Sequence, residues 1–349
     1  MEFPTLVQNP SEFLVDLKER IPRAEKRIWL QAMVMETGEV FSSLEPLLLD
    51  AAGRGVDVRI YHDWVTERYL HGNIRLLPTF NDKLLAEEDA VRNETKALFA
   101  RLAAGGVHFV EVNKPLMGIH FLPVMGRNHI KIYIVDDHAW MGGMNFFDAS
   151  FKNLDFMVRF ENADMVQALA TQFVQVNDKR PAQDYSFSVD KYGTVLVDSG
   201  IKGRSLIYKE AVKLVTEAQK EIVFVSQMVP EHYMLELLLS KSKQGVNVTI
   251  YTSNEDDVTF TKFPLRYFYI VFKRALERHG KHIRFIHLDR KIHAKLLIVD
   301  GKEAMFGSHN FVESGVQMGT QEIAFRTREA GLVDQLSGYV VSLQRYIPS

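Results

Sequence analysis

The 349-residue chain contains no cysteine. Disulfides, thiolate metal sites and cysteine nucleophiles are thereby excluded, and any metal centre would have to be built from histidine and carboxylate alone. Long apolar runs are missing as well. No stretch approaches the ~18–20 apolar residues that cross a bilayer, so a lipid partner would be met from the side. The opening MEFPTLVQNPSEFLVDLKERIPRAEKR lacks a basic start followed by an uninterrupted apolar stretch, and no secretory signal is expected. Nor is there an excess of one charge: 42 basic and 44 acidic residues leave a formal net charge of −2. That supplies no global field for nucleic acid or an anionic membrane, although a local basic groove stays compatible with it. A hydrophobic content of 46% with 25% charged residues is ordinary for a folded globular protein and excludes disordered and fibrous classes. The length suits two domains or one large duplicated unit.

The sequence is internally repetitive. Residues 13–63 read as helix, strand, loop, helix, glycine stop and strand, and residues 206–252 read as the same series. Gly55 before VDVRIY and Gly245 before VNVTIY stand where a helix ends in a left-handed residue and a strand begins. A second pair, FARLAAGGVHFVEV at 99–112 and FKRALERHGKHIRFIHL at 272–288, repeats a helix ending in glycine and feeding a strand. The third is NHIKIYIVDDHAWMGGMN at 128–145 and IHAKLLIVDGKEAMFGSHN at 292–310. Three pairs in one order predict an α/β protein of two similar halves, residues 1–180 and 195–349, each with a mainly parallel or mixed sheet flanked by helices. The polar stretch 179–195, KRPAQDYSFSVDKYGTV, reads as the join.

The third pair carries the chemistry. In HIKIYIVD, read as a strand, His129 and Lys131 point to one face while Ile130, Ile132 and Ile134 fill the other. HAKLLIVD repeats this with His293 and Lys295 against Ala294, Leu296 and Ile298. Asp136 and Asp300 close their strands at turns and read as structural supports bonding turn amides. Each motif returns to a small-residue turn ending in asparagine, Gly142-Gly143-Met144-Asn145 and Gly307-Ser308-His309-Asn310, where backbone approaches a phosphate closely and the carboxamide donates without adding charge. One acid stands just ahead of a strand in each half, Asp155 before FMVRF and Glu322 before IAFRT. Such a carboxylate accepts the distal ring N–H of a motif histidine and fixes its tautomer.

RNHIKIYIVD and KIHAKLLIVD, with their trailing GGMN and GSHN, resemble the two HxKxxxxD motifs of the phospholipase D superfamily. Within it the chain is most similar to bacterial cardiolipin synthase-like phosphatidyltransferases, through AAGRGVDVRIYHD, RNHIK and SQMVPE at 226–231. The resemblance spans nearly the whole chain. It implies that the halves pack with both histidines at their interface, that one forms a covalent phosphohistidine, and that the other protonates the leaving alcohol and deprotonates the acceptor. By the same resemblance His129 is the nucleophile and His293 the general acid. Lys131, Lys295, Asn145, Asn310 and Ser308, with Gly143 beside them, would hold the phosphoryl oxygens, making a cofactor or metal unnecessary. Such chemistry asks for one neutral and one cationic histidine near pH 7.

The implied partner is a phospholipid, and the implied location the cytoplasm, peripheral on the inner face of the membrane. The readings left open are phosphatidyl transfer to an alcohol, hydrolysis of the same lipid, cleavage of nucleic acid, and a non-catalytic binding module, which the intact duplicate motifs disfavour. Against nucleic acid stand the net charge and the lack of a basic stripe with stacking aromatics. The segment 260–280 reads as a scaffold helix opened by Pro264, with an interfacial helix as its alternative, and the apolar stretch 113–128 before the first motif reads equally as the lining of an acyl-chain entrance or as a buried loop. His62 and Asp63 read as a surface turn, with a position facing the site as the alternative. His120, His138 and His309 show no metal-ligand spacing.

Overall fold

The computed structural model describes residues 5–70, 73–74, 82–114, 126–178, 183–189, 192–253, 274 and 282–348. In the first half, β1 is Thr5–Gln8, β2 Arg27–Ala32, β3 Asp57–Asp63, β4 His108–Val112, β5 Ile132–Val135, β6 His138–Gly142 and β7 Met157–Phe160. They form one sheet in the order β1-β7-β6-β5-β2-β3-β4. In the second half, β8 is Tyr185–Val189, β9 Gly193–Ser199, β10 Glu221–Val225, β11 Asn247–Ser253, β12 Ile283–Leu288, β13 Leu296–Val299, β14 Glu303–Gly307 and β15 Gln321–Thr327. Their order is β8-β9-β15-β14-β13-β10-β11-β12. Setting the edges β1 and β8-β9 aside, the two orders are the same strand for strand. In each, three parallel strands adjoin an antiparallel meander. The protein is therefore a mixed α/β fold of two similar halves.

Local chemistry explains the element ends. Helix α1, Pro10–Arg20, begins at a capping box in which Asn9 accepts from Ser11 and Glu12 N–H while Glu12 accepts from the Asn9 N–H. Gly55 and Gly245 take φ of +87° and +94°, the left-handed turn from helix into β3 and β11. The expected join is shorter than 179–195. Residues 179–182 lie outside the described residues, while the edge strand Tyr185–Val189 pairs antiparallel with Gly193–Ser199. Alternating Tyr185, Phe187 and Val189 pack against the core, so a stretch that looked polar is a strand with one covered face. The segment 260–280 and most of 113–128 also lie outside the described residues, apart from Arg274, Asn113, Lys114 and the run from Gly126.

Three layers of apolar packing follow. The central one joins the halves: Ile130, Ile132 and Ile134 meet Ala294, Leu296 and Ile298 in one cluster. Phe156 lies 5.8 Å from Phe306 and Phe160 5.4 Å from Phe325, centroid to centroid. Each such side chain, fully buried, contributes ~1.5–3 kcal/mol, which fixes the halves face to face. The outer faces are covered by their own helices, with Phe13, Leu17 and Leu48 in the first half and Ile207, Leu214 and Leu238 in the second.

The hairpin aspartates pin these layers. Asp136 accepts from the N–H groups of Glu25, Lys26 and Arg27 at 2.8–2.9 Å, and Asp300 from those of Gln219, Lys220 and Glu221 at 2.7–3.0 Å. Each thus ties its hairpin to the entry of the central strand β2 or β10, not to amides of its own turn as the sequence suggests. Burial raises the Asp136 pKa, but the three N–H donors outweigh it and hold the carboxyl below its usual value. Its contribution to stability is therefore full above the unfolded pKa of about 3.9 and is lost as pH falls through the lower folded value. Asp136→Ala strands three amides and is expected to cost ~1–3 kcal/mol, read as a lower urea midpoint at pH 7, with the difference from wild type shrinking in acid.

Candidate active site

His129 and Lys131, like His293 and Lys295, sit in extended segments just before β5 and β13 rather than within the strands. The alternation still holds, with the apolar residues in the central core. What aims these segments is a matched pair of strand ends. At the end of β3, buried Asp63 accepts the N–H of Asn128 at 2.7 Å and a bond from Arg127 at 2.9 Å. At the end of β11, Ser253 Oγ accepts the N–H of Ile292 at 2.7 Å. Each grips the residue before a motif histidine. Asp63 is thus no surface turn, nor is His62, which is 6% exposed. The duplication, aligning DVRIYHD with NVTIYTS, was the signal that could have found this role.

The halves then interlock by exchanging strand-like contacts. His129 N–H donates to Gln321 O at 2.9 Å and Gln321 N–H to Arg127 O at 2.8 Å; His293 N–H donates to Leu154 O and Leu154 N–H to Lys291 O, both at 2.8 Å. The acids are consequently crossed. His129 Nδ1 bonds Glu322 of the second half at 2.9 and 3.0 Å, and His293 Nδ1 bonds Asp155 of the first half at 2.8 Å. With Nδ1 committed, Nε2 of each ring is the reactive edge. Glu322 lies inside β15, where sequence reading put it ahead of the strand.

Lys131 Nζ donates to the His129 carbonyl at 2.7 Å, Lys295 Nζ likewise to the His293 carbonyl, and both are fully buried. The site is therefore a buried cluster of four bases and two acids. Burial, opposed by Glu322 and assisted by Lys131, brings His129 down to about 4. Burial together with Lys295, Lys131, Lys291 and His129 holds His293 well below 6.5. Burial also lowers Lys295 to about 8 and Lys131 well below the usual lysine value. Burial thus biases both imidazoles of the free site toward their neutral forms. The asymmetry lies in the acids. Burial pushes Asp155 up to about 6, whereas at Glu322 the His129 ring, His309 and Lys131 outweigh burial and hold it near 2.

The turn residues divide. Asn145 is buried with Oδ1 accepting from Val34 N–H at 3.2 Å, while Asn310 is half-buried with an Oδ1 that meets no protein donor among the described residues, so the shorter first hairpin seats its asparagine differently. Ser308 was expected at the substrate but is fully buried, donates to Glu322 and accepts from Ile323 N–H at 3.0 Å; it holds the carboxylate. A Cβ on Gly143 would lie 2.9 Å from Asp155 Oδ1 and 3.2 Å from the His293 carbonyl, so this glycine makes room for the acid. His309 accepts from Phe311 N–H through Nδ1. Among the described residues no three His, Asp or Glu side chains are grouped to hold a metal, and no helix is long and apolar enough to cross a membrane.

A model of the family described as cardiolipin synthase, PLD-like domain, matches residues 17–177 and 212–343. Relatives include cardiolipin synthase B of Salmonella typhi, 22% identical, with 97% of this chain and 80% of that protein covered. Cardiolipin synthase of Oceanobacillus iheyensis is 25% identical, with 84% and 59% covered. Among solved structures, phosphatidylserine synthase of Haemophilus influenzae superposes with a TM-score of 0.76 at 14% identity, over 99% of this chain and 86% of that one. Polyphosphate kinase of Porphyromonas gingivalis gives 0.59 at 13% identity, over 96% and 49%.

Proposed function

The chain belongs to the cardiolipin synthase, PLD-like domain family, and from that premise we propose that it transfers a phosphatidyl group from a phospholipid to an alcohol through a phosphohistidine. The observation that carries this reading is the crossed pair of histidine–carboxylate bonds across the interface. Glu322 stays ionised, orients His129 Nδ1–H and leaves a neutral Nε2 lone pair, the form a nucleophile needs. Asp155, raised toward neutrality, lets the Asp155–His293 pair keep a proton near working pH as the acid.

In the first step His129 Nε2 bonds to phosphorus as the P–O bond to the leaving alcohol breaks, and His293 gives that oxygen its proton. In the second, His293 takes the proton of the acceptor hydroxyl, whose oxygen bonds to phosphorus as the P–N bond breaks. Lys131 and Lys295, with Asn145 and Asn310, face the growing negative charge. With donor and acceptor in a bilayer, the protein works from the side of the membrane, peripheral on its inner face.

Purified protein with EDTA and phosphatidylglycerol vesicles is expected to give cardiolipin and glycerol by mass spectrometry. Phosphatidic acid as the sole product would mean hydrolysis, and shortened single-stranded DNA with untouched lipid would defeat the assignment.

A further inference from the structure

The two asparagine turns differ in where a pair of backbone N–H groups goes. In the first half the Val34 N–H donates to Asn145 Oδ1 at 3.2 Å and the Phe146 N–H to the Val34 carbonyl at 3.0 Å, so the scaffold holds that carboxamide. By strand register Met228 stands where Val34 does, since Ile28 pairs with Val135 and Ile222 with Val299. In the second half, however, the Met228 N–H goes to Ser226 Oγ at 3.2 Å and the Phe311 N–H to His309 Nδ1 at 2.7 Å. Ala32 and Met144 hold those two positions in the first half, with no oxygen or nitrogen in either side chain. Both substitute acceptors are buried, Ser226 at 0% and His309 at 3% exposure.

The consequence is a released carboxamide: Asn310 Oδ1 is buried yet meets no protein donor among the described residues. The release strains the backbone. Phe311 stands at φ +55°, a left-handed conformation that a bulky residue rarely adopts, with its ring packed 5.6 Å from that of Phe224. The bond from Phe311 N–H back to the side chain two residues earlier has the pattern of an Asx turn, here made by a ring nitrogen. Because a backbone N–H only donates, the bond requires an unprotonated Nδ1 and places the ring proton on Nε2. Burial lowers the His309 pKa against the opposing pull of Glu322 and so favours that form. We propose that His309 is a positioning residue: with Ser226 it relieves Asn310 of scaffold duty and leaves that carboxamide to bond the transferred phosphoryl group. No protein bond among the described residues fixes the amide's orientation, so its N–H2 end is available to a phosphoryl oxygen. The first half then supplies a fixed amide and the second an adaptable one. The inference rests on phosphoryl transfer at this site.

The test is steady-state transfer from short-chain phosphatidylglycerol, with kcat and KM taken separately and each variant checked by its melting temperature. Asn310→Ala is expected to lose about 10²-fold in kcat. His309→Ala should lose about tenfold or more, with KM changed by less than about threefold. His309→Asn puts a carbonyl oxygen where Nδ1 stands and should recover to within about threefold of wild type, whereas His309→Gln, whose amide falls where Nε2 stands, should stay as poor as alanine. In the Asn310→Ala background His309→Ala should add no further loss, because it acts through that amide. Should alanine unfold the protein, the contrast between asparagine and glutamine decides alone. Recovery by glutamine in place of asparagine, a wild-type kcat in His309→Ala, or losses that multiply in the double variant overturn the positioning role. A wild-type rate in Asn310→Ala overturns it too. In each of these cases cardiolipin formed by the wild type leaves phosphatidyl transfer standing, and a wild type that forms no lipid product removes both.

Discussion

Alanine at position 129 or 293 is expected to remove turnover of phosphatidylglycerol, by about 10⁴-fold or more, while the fold stays intact. The fold survives because neither ring belongs to the central apolar cluster. Glu322 keeps the Ser308 hydroxyl and Asp155 the Phe156 N–H when its ring is lost. The two variants should nevertheless fail differently. A donor with a p-nitrophenolate leaving group needs no acid, so His293→Ala should release one equivalent of nitrophenol per site and stall as a phosphoenzyme. His129→Ala should release none. Mass spectrometry at neutral pH, where phosphohistidine persists, should find the phosphoryl group on the peptide carrying His129. A burst from His129→Ala, with the group on His293, would reverse the two roles.

Much of this was legible in the sequence because its signals are local. Two-residue alternation in HIKIYIVD and HAKLLIVD already separates an imidazole and ammonium face from an aliphatic one, and the glycine stops at Gly55 and Gly245 set the helix-to-strand register. The matched order of segments foretells the matched order of strands. What the sequence could not reveal was which acid serves which histidine. Asp155 and Glu322 follow their own motifs by similar spacings, and only the packing of the sheets through Ile132, Leu296, Phe156 and Phe306 swings each toward the opposite half. Ser308 went astray for the same reason, its hydroxyl being claimed by a carboxylate fourteen residues on. Asp63 looked like a turn because its partners, Arg127 and Asn128, are remote in sequence. Buried hydrogen bonds of long range leave no periodic trace.

The crossed acids give the second large effect. Glu322→Gln replaces an acceptor by a carboxamide that can offer N–H to Nδ1, moving the ring proton to Nε2 and removing the attacking lone pair; a loss of about 10³–10⁴-fold in kcat is expected. The Glu322→Gln/His129→Ala double variant should be no worse than His129→Ala alone, since both changes disable one nucleophile. Asp155→Asn should instead act on proton delivery, sparing the nitrophenyl donor while crippling phosphatidylglycerol. The pH dependence follows from the same asymmetry. The nucleophile must be unprotonated, so kcat/KM should fall as pH drops through about 4, the value for His129. The acid pair must hold its proton, so kcat/KM should also fall as pH rises through the titration of Asp155–His293, whose carboxyl sits near 6. In Asp155→Asn the alkaline limb should move to lower pH, because His293 loses the negative charge that helps it hold its proton, while the acid limb remains; in Glu322→Gln the acid limb should move further down, because the negative charge that raises His129 is gone. An alkaline limb unchanged in Asp155→Asn would separate that carboxylate from the proton the reaction transfers.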